Sequence, residues 1–151
     1  MFGRRILAFL AAIVVTEVMI AFVNASSVLE RLVELGVDVP TGLWLPTMLE
    51  DVLGIAPTFL PVLALGFAIA FGVAWAVLRW LLPFGRAYGY PLAGAVCMAA
   101  VQFGLGQIFL THPIAASRSV VGMMALLASG ALGGWVFLRL LPASAPDADV
   151  E

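Results

Sequence analysis

The chain has 151 residues, of which 64% are hydrophobic and 11% are charged, and its mean hydropathy is +1.14. Soluble domains are about 45–50% apolar and about 25% charged, so this composition excludes a water-soluble globule and an intrinsically disordered chain. The formal net charge of -2 excludes the basic surface of a nucleic-acid-binding protein, and the single cysteine excludes a disulfide scaffold. The sequence therefore predicts an integral membrane protein, and the partner that it predicts is the lipid bilayer.

Four segments are long and apolar enough to cross a bilayer as helices, which takes about 20 residues. These segments are residues 6–23, 58–82, 88–110 and 119–141. Their apolar residues run continuously, whereas those of a membrane β-barrel strand alternate with polar ones. We predict an all-α integral membrane protein, a single domain over residues 1–151 that forms a four-transmembrane-helix bundle, with a disordered cytoplasmic tail at 142–151.

The first segment has a second interpretation as a cleaved signal peptide. Arg4 and Arg5 fit the charged start of such a peptide, and Val23-Asn24-Ala25 fits its small-x-small cleavage rule. The apolar stretch is, however, longer than the usual length of about 7–15 residues, and it contains Glu17. Both features favour a retained transmembrane helix.

The external connection at residues 24–57 is too long for a simple link between neighbouring spans. Ser27 and Glu30 have the spacing of a capping box, which predicts a short amphipathic helix that begins there. Gly36 is placed to end that helix, because glycine readily adopts the left-handed conformation that follows a helix end.

A second short amphipathic helix is predicted at residues 46–53, since Pro46 suits the first turn of a helix and Gly54 suits its end. Two roles are open for this pair of short helices. They lie on the membrane surface and cap the bundle, or they form a lid or a docking site for a partner protein.

The chain contains seven arginines and no lysine. If successive spans alternate in direction, the side of the N-terminus holds Arg4, Arg5, Arg79, Arg86 and Arg139, and the other side holds Arg31 and Arg118. The positive-inside rule then predicts that both termini are cytoplasmic. Arginine without lysine is typical of GC-rich bacterial genomes, so we expect a multi-pass protein of the bacterial inner (plasma) membrane.

Transmembrane helices associate where small residues let two backbones approach each other. The second span carries a row of small residues through Ala68 and Gly72, and the fourth span carries Gly130 and Gly134. These rows predict helix packing inside one bundle. Four helices do not need so many small faces, so an interface between copies in a homo-oligomer is the alternative.

Glu17 is the most informative residue, because it lies about 17 Å into the first span, close to the bilayer centre. An ionisable group at this depth costs several kcal/mol unless it is neutralised, paired or hydrated, and it marks a functional site by default. A buried glutamic acid is typical of a proton carrier. It is equally compatible with a hydrogen-bonded residue that has no function in transport.

Further polar residues lie beyond Glu17 on the first and third spans. Counting depth from the start of each span, we expect Glu17 to meet Gln102 and Asn24 to meet Gln107. The candidate ion or substrate path from the membrane centre to the outside consists of Glu17, Asn24, Gln102, Gln107, His112 and Arg118. Interhelical hydrogen bonding without any transport is the alternative for the same residues.

Two short stretches resemble a known family. The segment from Ala12 to Val18 (AIVVTEV) resembles the first helix of the small multidrug resistance transporters, and Gly122-Met123-Met124 is similar to their fourth helix. In that family a membrane glutamate couples protons to drug export, so the resemblance implies the same role for Glu17. The chain departs from the family by its long external segment.

The sequence has no phosphate-binding loop, no Ser/His/Asp set and no paired histidines, so we expect no enzyme activity, no cofactor and no metal site. Two functions remain. The protein is a small oligomeric transporter or channel protomer in which Glu17 titrates, or it is a non-catalytic accessory, scaffold or lipid-binding subunit of a larger membrane complex.

Overall fold

The computed structural model describes residues 2–36, 40, 42, 44–80, 86–109 and 115–141. Its elements in chain order are α1 (Phe2–Glu34), α2 (Trp44–Trp80), α3 (Arg86–Phe109), a 3-10 helix (Ala115–Arg118) and α4 (Val120–Leu140). The described part of the chain is all-helical, and α1 to α4 are each long and apolar enough to cross a membrane. The tail predicted at 142–151 lies outside the described residues.

The four long helices form an up-down-up-down bundle. Both α1 and α3 pack against α2 and against α4, so α1 and α3 stand diagonally opposite each other and run in the same direction. The end of the bundle where α1 and α3 begin is the Phe2 end, and the end where α2 and α4 begin is the Ser119 end. The 3-10 helix packs on α1 and α4 at the Ser119 end.

The first helix is longer than predicted. We expected a span that ends at residue 23 and a separate short helix after it, but α1 continues without a break for 33 residues, about 50 Å. Ser27 does not cap a new helix, because its hydroxyl donates to the carbonyl of Val23, 2.8 Å away, inside α1. Gly36 follows the helix end in the left-handed conformation expected of it, with a φ of 78°.

The second helix also exceeds its prediction. The short helix expected at residues 46–53 is the first part of α2, a single helix of 37 residues. Gly54 lies inside α2 and does not end it, because a glycine in a helix interior costs only about 1 kcal/mol and helix propagation is cooperative. Pro57 and Pro61 lie inside α2 as well, where each removes one amide donor. The two predicted external helices are therefore extensions of α1 and α2.

The core at the Phe2 end is a cluster of aromatic rings contributed by all four long helices. Phe71 stacks on Phe137 with the ring centroids 4.4 Å apart, and it meets Phe67 at 4.9 Å. Phe9 and Tyr90 approach the same ring edge-on, at 6.4 and 6.0 Å. Aromatic pairs in these geometries add about 0.5–1.5 kcal/mol each to the burial of apolar area. The cluster therefore ties the four helices together at this end.

Candidate functional site

The depth of each polar residue follows from the places where the helices touch. Gly94 and Gly130 meet backbone to backbone, because a Cβ on either glycine would overlap the carbonyl group of the other. On another side of α4, the Thr16 hydroxyl lies against Ser129 and Gly133. Thr16, Gly94 and Gly130 therefore lie at about one depth in the bundle, which we call the reference level.

Glu17 lies at the reference level and is only 3% exposed. Neither oxygen of its carboxyl group has a hydrogen-bond partner among the residues that the structure describes. A buried polar group left without a partner costs about 1–3 kcal/mol, and a charged one costs more. The Glu17 carboxyl is therefore equipped to hold a proton, or to accept a hydrogen bond from a water or ligand that enters the bundle.

An apolar layer lies one turn, about 6 Å, from the reference level towards the Ser119 end. It consists of Ile20 on α1, Met98 on α3 and Leu126 on α4, and each of these side chains has 0% exposure. All three belong to the continuous hydrophobic core. The apolar layer therefore separates Glu17 from the Ser119 end of the bundle.

Asn24 and Gln102 lie beyond the apolar layer, about 12 Å from the reference level. They are 8% and 6% exposed. Nε2 of Gln102 has no hydrogen-bond partner among the described residues. Two buried amide side chains thus occupy one depth on diagonally opposite helices, and at least one of them has an amide group with unused donors.

This register corrects the pairing predicted from the sequence. We expected Gln102 to meet Glu17, but Asn24 lies level with Gln102, and Glu17 lies about 10 Å away across the apolar layer. Gln107 lies five residues further along α3 than Gln102, about 7.5 Å, and does not share the depth of Asn24. The prediction failed because it counted depth from the start of each apolar run, whereas backbone contacts such as Gly94–Gly130 fix the position of α3.

A pocket of about 250 Å³ adjoins Gln102 near the Ser119 end. It is lined by Gln102, Phe103, Gly106, Gln107, Ser117 and Met123. Gln107 is exposed and Gln102 is buried, so the pocket leads from the surface of the bundle towards its interior. The structure thus brings two of the six candidate path residues together in one pocket.

The described residues among the remaining path candidates do not line this pocket. Arg118 is exposed at the end of the 3-10 helix, next to Ser117 of the pocket. His112 lies outside the described residues. Glu17 is separated from the pocket by the apolar layer.

The predicted packing residues of the fourth span lie in the seam between α3 and α4. Gly130 faces Gly94, and a Cβ on Gly134 would overlap the carbonyl group of Tyr90. Both glycines are buried. The α3–α4 seam therefore uses glycine where two helix backbones come into contact.

The predicted packing residues of the second span face away from the other helices. Ala68 is exposed, and a Cβ on Gly72 would meet no atom within 4 Å. The row of small residues that faces α3 includes Gly66, where a Cβ would lie 2.8 Å from Sγ of Cys97. Spacing along one helix reveals a row of small residues, but it does not say whether that row faces a neighbouring helix.

A second concavity lies between α2 and α3. This groove has a volume of about 760 Å³, and its lining is almost entirely apolar. Gly66, Ala70, Ala93 and Cys97 form part of it.

Sequence analysis missed the polar residues next to Glu17. Thr16 is fully buried, and its hydroxyl donates to the carbonyl of Ala12 at 2.8 Å, with the carbonyl of Ser129 at 3.5 Å. The available signal was a hydroxyl residue directly before the buried glutamate, on the same helix. Thr16 therefore connects α1 to α4 at the level of Glu17.

Within the described residues, no group of three or more His, Cys, Asp or Glu side chains is placed to hold a metal ion. No protein-family model, no curated protein and no solved structure matches this chain. The functional conclusion therefore depends on the geometry of Glu17 and of the polar residues beyond the apolar layer.

Proposed function

We propose that the protein is a small, non-catalytic, proton-coupled transporter of the bacterial inner membrane, in which Glu17 binds and releases the transported proton. In this proposal four spanning helices leave both termini in the cytoplasm, and the Ser119 end faces the outside. The observation that carries the proposal is the buried Glu17 carboxyl, neither of whose oxygens has a hydrogen-bond partner among the described residues.

The missing partner argues against a purely structural role for Glu17. A glutamic acid that held two helices together would donate or accept a hydrogen bond across their interface. The Glu17 carboxyl makes no such bond within the described chain, so it only costs stability there. A costly ionisable group inside a membrane span is typical of proton pathways.

The residues around Glu17 support a closed state of such a transporter. The apolar layer blocks the way from Glu17 to Asn24 and Gln102, which lie on the proposed external side. The aromatic cluster around Phe71 fills the core towards the proposed cytoplasmic side. We infer that a proton reaches Glu17 only when one of these two barriers opens, which is the requirement for coupled transport.

An accessory or scaffold role is the second candidate, and the outer surface of α2 favours it. Ala68 and Gly72 form a small-residue face that packs on none of the residues that the structure describes, and small faces are where spanning helices approach each other. In this alternative a second copy or a different membrane subunit covers that face. Glu17 would then have no transport function.

Proton flux into liposomes distinguishes the two functions. Purified protein is reconstituted with a pH-sensitive dye inside the liposomes, and valinomycin with a potassium gradient supplies the driving voltage. We expect wild-type protein to admit protons in this assay without added solute, since a carrier that also cycles with its proton alone conducts protons down the voltage. The Glu17→Gln variant, which keeps the size of the side chain, should reduce the rate to that of empty liposomes.

Equal flux through wild-type protein and Glu17→Gln would overturn the role of Glu17. Infrared spectra of both proteins provide a second measurement, because only a carboxyl band that is absent from Glu17→Gln belongs to this residue. That band should respond to external pH if protons reach Glu17. A band that stays unchanged across the pH range would favour the accessory role.

A further inference from the structure

We propose that the 250 Å³ pocket beside Gln102 is a binding site for a small neutral solute that joins an apolar or aromatic group to a hydrogen-bond acceptor. The inference deepens the proposed function, on which it rests for the statement that the bound solute is the one transported. Binding itself is a separate property and is measured without transport.

The volume of the pocket sets the size of the solute. An engineered apolar cavity of about 150 Å³ accommodates benzene, which has about six non-hydrogen atoms. A pocket of about 250 Å³ accommodates about ten non-hydrogen atoms on the same scale. This size fits a substituted aromatic ring or a short branched chain and excludes a whole phospholipid.

The Gln102 amide sets the polar requirement. Gln102 is 6% exposed, it lines the pocket, and its Nε2 has no hydrogen-bond partner among the described residues. A buried N–H donor without an acceptor is costly, and once the Gln102 amide turns its Nε2 towards the pocket, a carbonyl, ether or hydroxyl oxygen of a ligand would remove that cost. The Gln102 amide therefore favours a ligand that carries an acceptor oxygen.

The other lining residues determine the charge of the solute and the position of its apolar part. None of the six described lining residues is charged, so an ion in the pocket would lose its hydration without finding a counter-charge among them. The ring of Phe103 and the thioether of Met123 supply apolar and polarisable surface that suits an aromatic group. The solute is therefore neutral, with an apolar part placed between Phe103 and Met123.

Benzamide is a probe that meets these requirements, since it is neutral and joins an aromatic ring to a carbonyl acceptor. The protein is labelled with ¹³C-methyl methionine and placed in lipid nanodiscs, and NMR spectra are recorded as benzamide is added. Met123 lines the pocket, and its neighbour Met124 is 62% exposed on another side of α4, so Met124 reports partition into lipid. We expect the Met123 signal to shift saturably and the Met124 signal to change only in proportion to the concentration.

Charged analogues of benzamide and substitutions of pocket residues test the specificity of binding. Benzoate and benzylammonium should bind at least about tenfold more weakly than benzamide, because neither finds a counter-charge in the pocket. The Gln102→Leu variant keeps the volume of the side chain and removes the donor, so it should weaken benzamide binding by about five- to tenfold. Phe103→Ala, a change on an exposed residue, should weaken binding several-fold by removing the ring. An unchanged Met124 signal and an unchanged helical circular dichroism spectrum verify that each variant is folded.

Three results would overturn the inference. They are equal shifts of Met123 and Met124, equal binding of benzamide and its charged analogues, and wild-type affinity in both Gln102→Leu and Phe103→Ala. If proton flux through Glu17 persists while benzamide does not bind, the pocket proposal fails alone. If benzamide binds through Gln102 while proton flux is absent, the transport proposal fails alone.

Discussion

Gly94 on α3 and Gly130 on α4 touch through their backbones, so that neither position has room for a side chain. This contact fixes how far α3 is shifted along α4. The depth of Gln102 follows directly from it, because Gln102 lies two turns, about 12 Å, further along α3 than Gly94. One pair of glycines thus places the pocket at the Ser119 end, on the far side of the apolar layer from Glu17.

Adding a methyl group at this contact should destabilise the bundle. We expect Gly130→Ala to lose about 1–3 kcal/mol of stability, because the new Cβ overlaps the Gly94 carbonyl and α3 must move away. Gly104→Ala on α3 is the matched control, since a Cβ there meets no atom within 4 Å. The control should gain up to about 1 kcal/mol from the higher helix propensity of alanine. Denaturant unfolding in detergent micelles measures both, and equal stability of the two variants would contradict the contact.

The seam between α1 and α4 allows a test by double mutation. A Cβ on Gly133 would overlap the hydroxyl oxygen of Thr16, so we expect Gly133→Ala to destabilise the bundle by about 1–3 kcal/mol. In the Thr16→Ala background that oxygen is absent, and the same glycine substitution should cost less. Unfolding of the two single variants and the double variant gives the coupling energy, which we expect to be about 0.5–3 kcal/mol in favour of the double variant. A coupling energy of zero would show that the two residues do not touch.

The sequence was sufficient to predict four spanning helices, because continuous apolar runs of this length have few other structures available to them. It was not sufficient to predict where α1 ends and where α2 begins, both of which lie at the Ser119 end of the bundle. Ser27 and Gly54 have the local features of a helix boundary, yet both lie inside helices. A capping residue competes with helix propagation from the preceding turn, and here the preceding turns are already helical.

The two candidate capping serines should therefore respond differently to substitution. Ser119 precedes α4 in an extended conformation, and its hydroxyl oxygen accepts the amide of Gly122 at 3.0 Å. We expect Ser119→Ala to cost about 1 kcal/mol, as for other lost N-caps. Ser27→Ala should change stability by less than about 0.5 kcal/mol, since its hydroxyl only bonds back to Val23 within α1. Unfolding measurements on the two variants test this difference. A larger loss of stability in Ser27→Ala than in Ser119→Ala would support the original prediction of a separate helix capped by Ser27.

The sequence predicted which residues belong to the candidate site better than it predicted how those residues are arranged. Glu17 and Gln102 are visible in the sequence because polar side chains are rare inside apolar runs. Their relative depth is not visible, because it depends on contacts between glycines that lie on different helices. Sequence spacing defines positions along one helix, and only packing between helices relates one helix to another.

Replacing Glu17 by an apolar residue should stabilise the protein. The carboxyl group is buried and makes no hydrogen bond within the described chain, so Glu17→Leu removes a cost without breaking a contact. We expect a gain of about 1–3 kcal/mol in the free energy of unfolding, together with the loss of proton flux. Denaturant unfolding and the liposome assay on the same preparation measure both effects. A structural, hydrogen-bonded Glu17 predicts the opposite sign, a loss of stability in Glu17→Leu.

The apolar layer between Glu17 and Asn24 can be opened by one substitution. Leu126 is fully buried, and Leu126→Ala should cost about 2–5 kcal/mol and leave a cavity next to the polar residues on both sides. Because polar cavities of sufficient size hold water, we expect a water connection to Glu17 and a several-fold increase in proton leak through liposomes. Leu132→Ala is the matched control on the same helix, since Leu132 is 41% exposed and lies outside the layer, and it should not leak. Adding Glu17→Gln to Leu126→Ala should abolish the leak, and a leak that persists in that double variant would mean that protons cross the bundle without using Glu17.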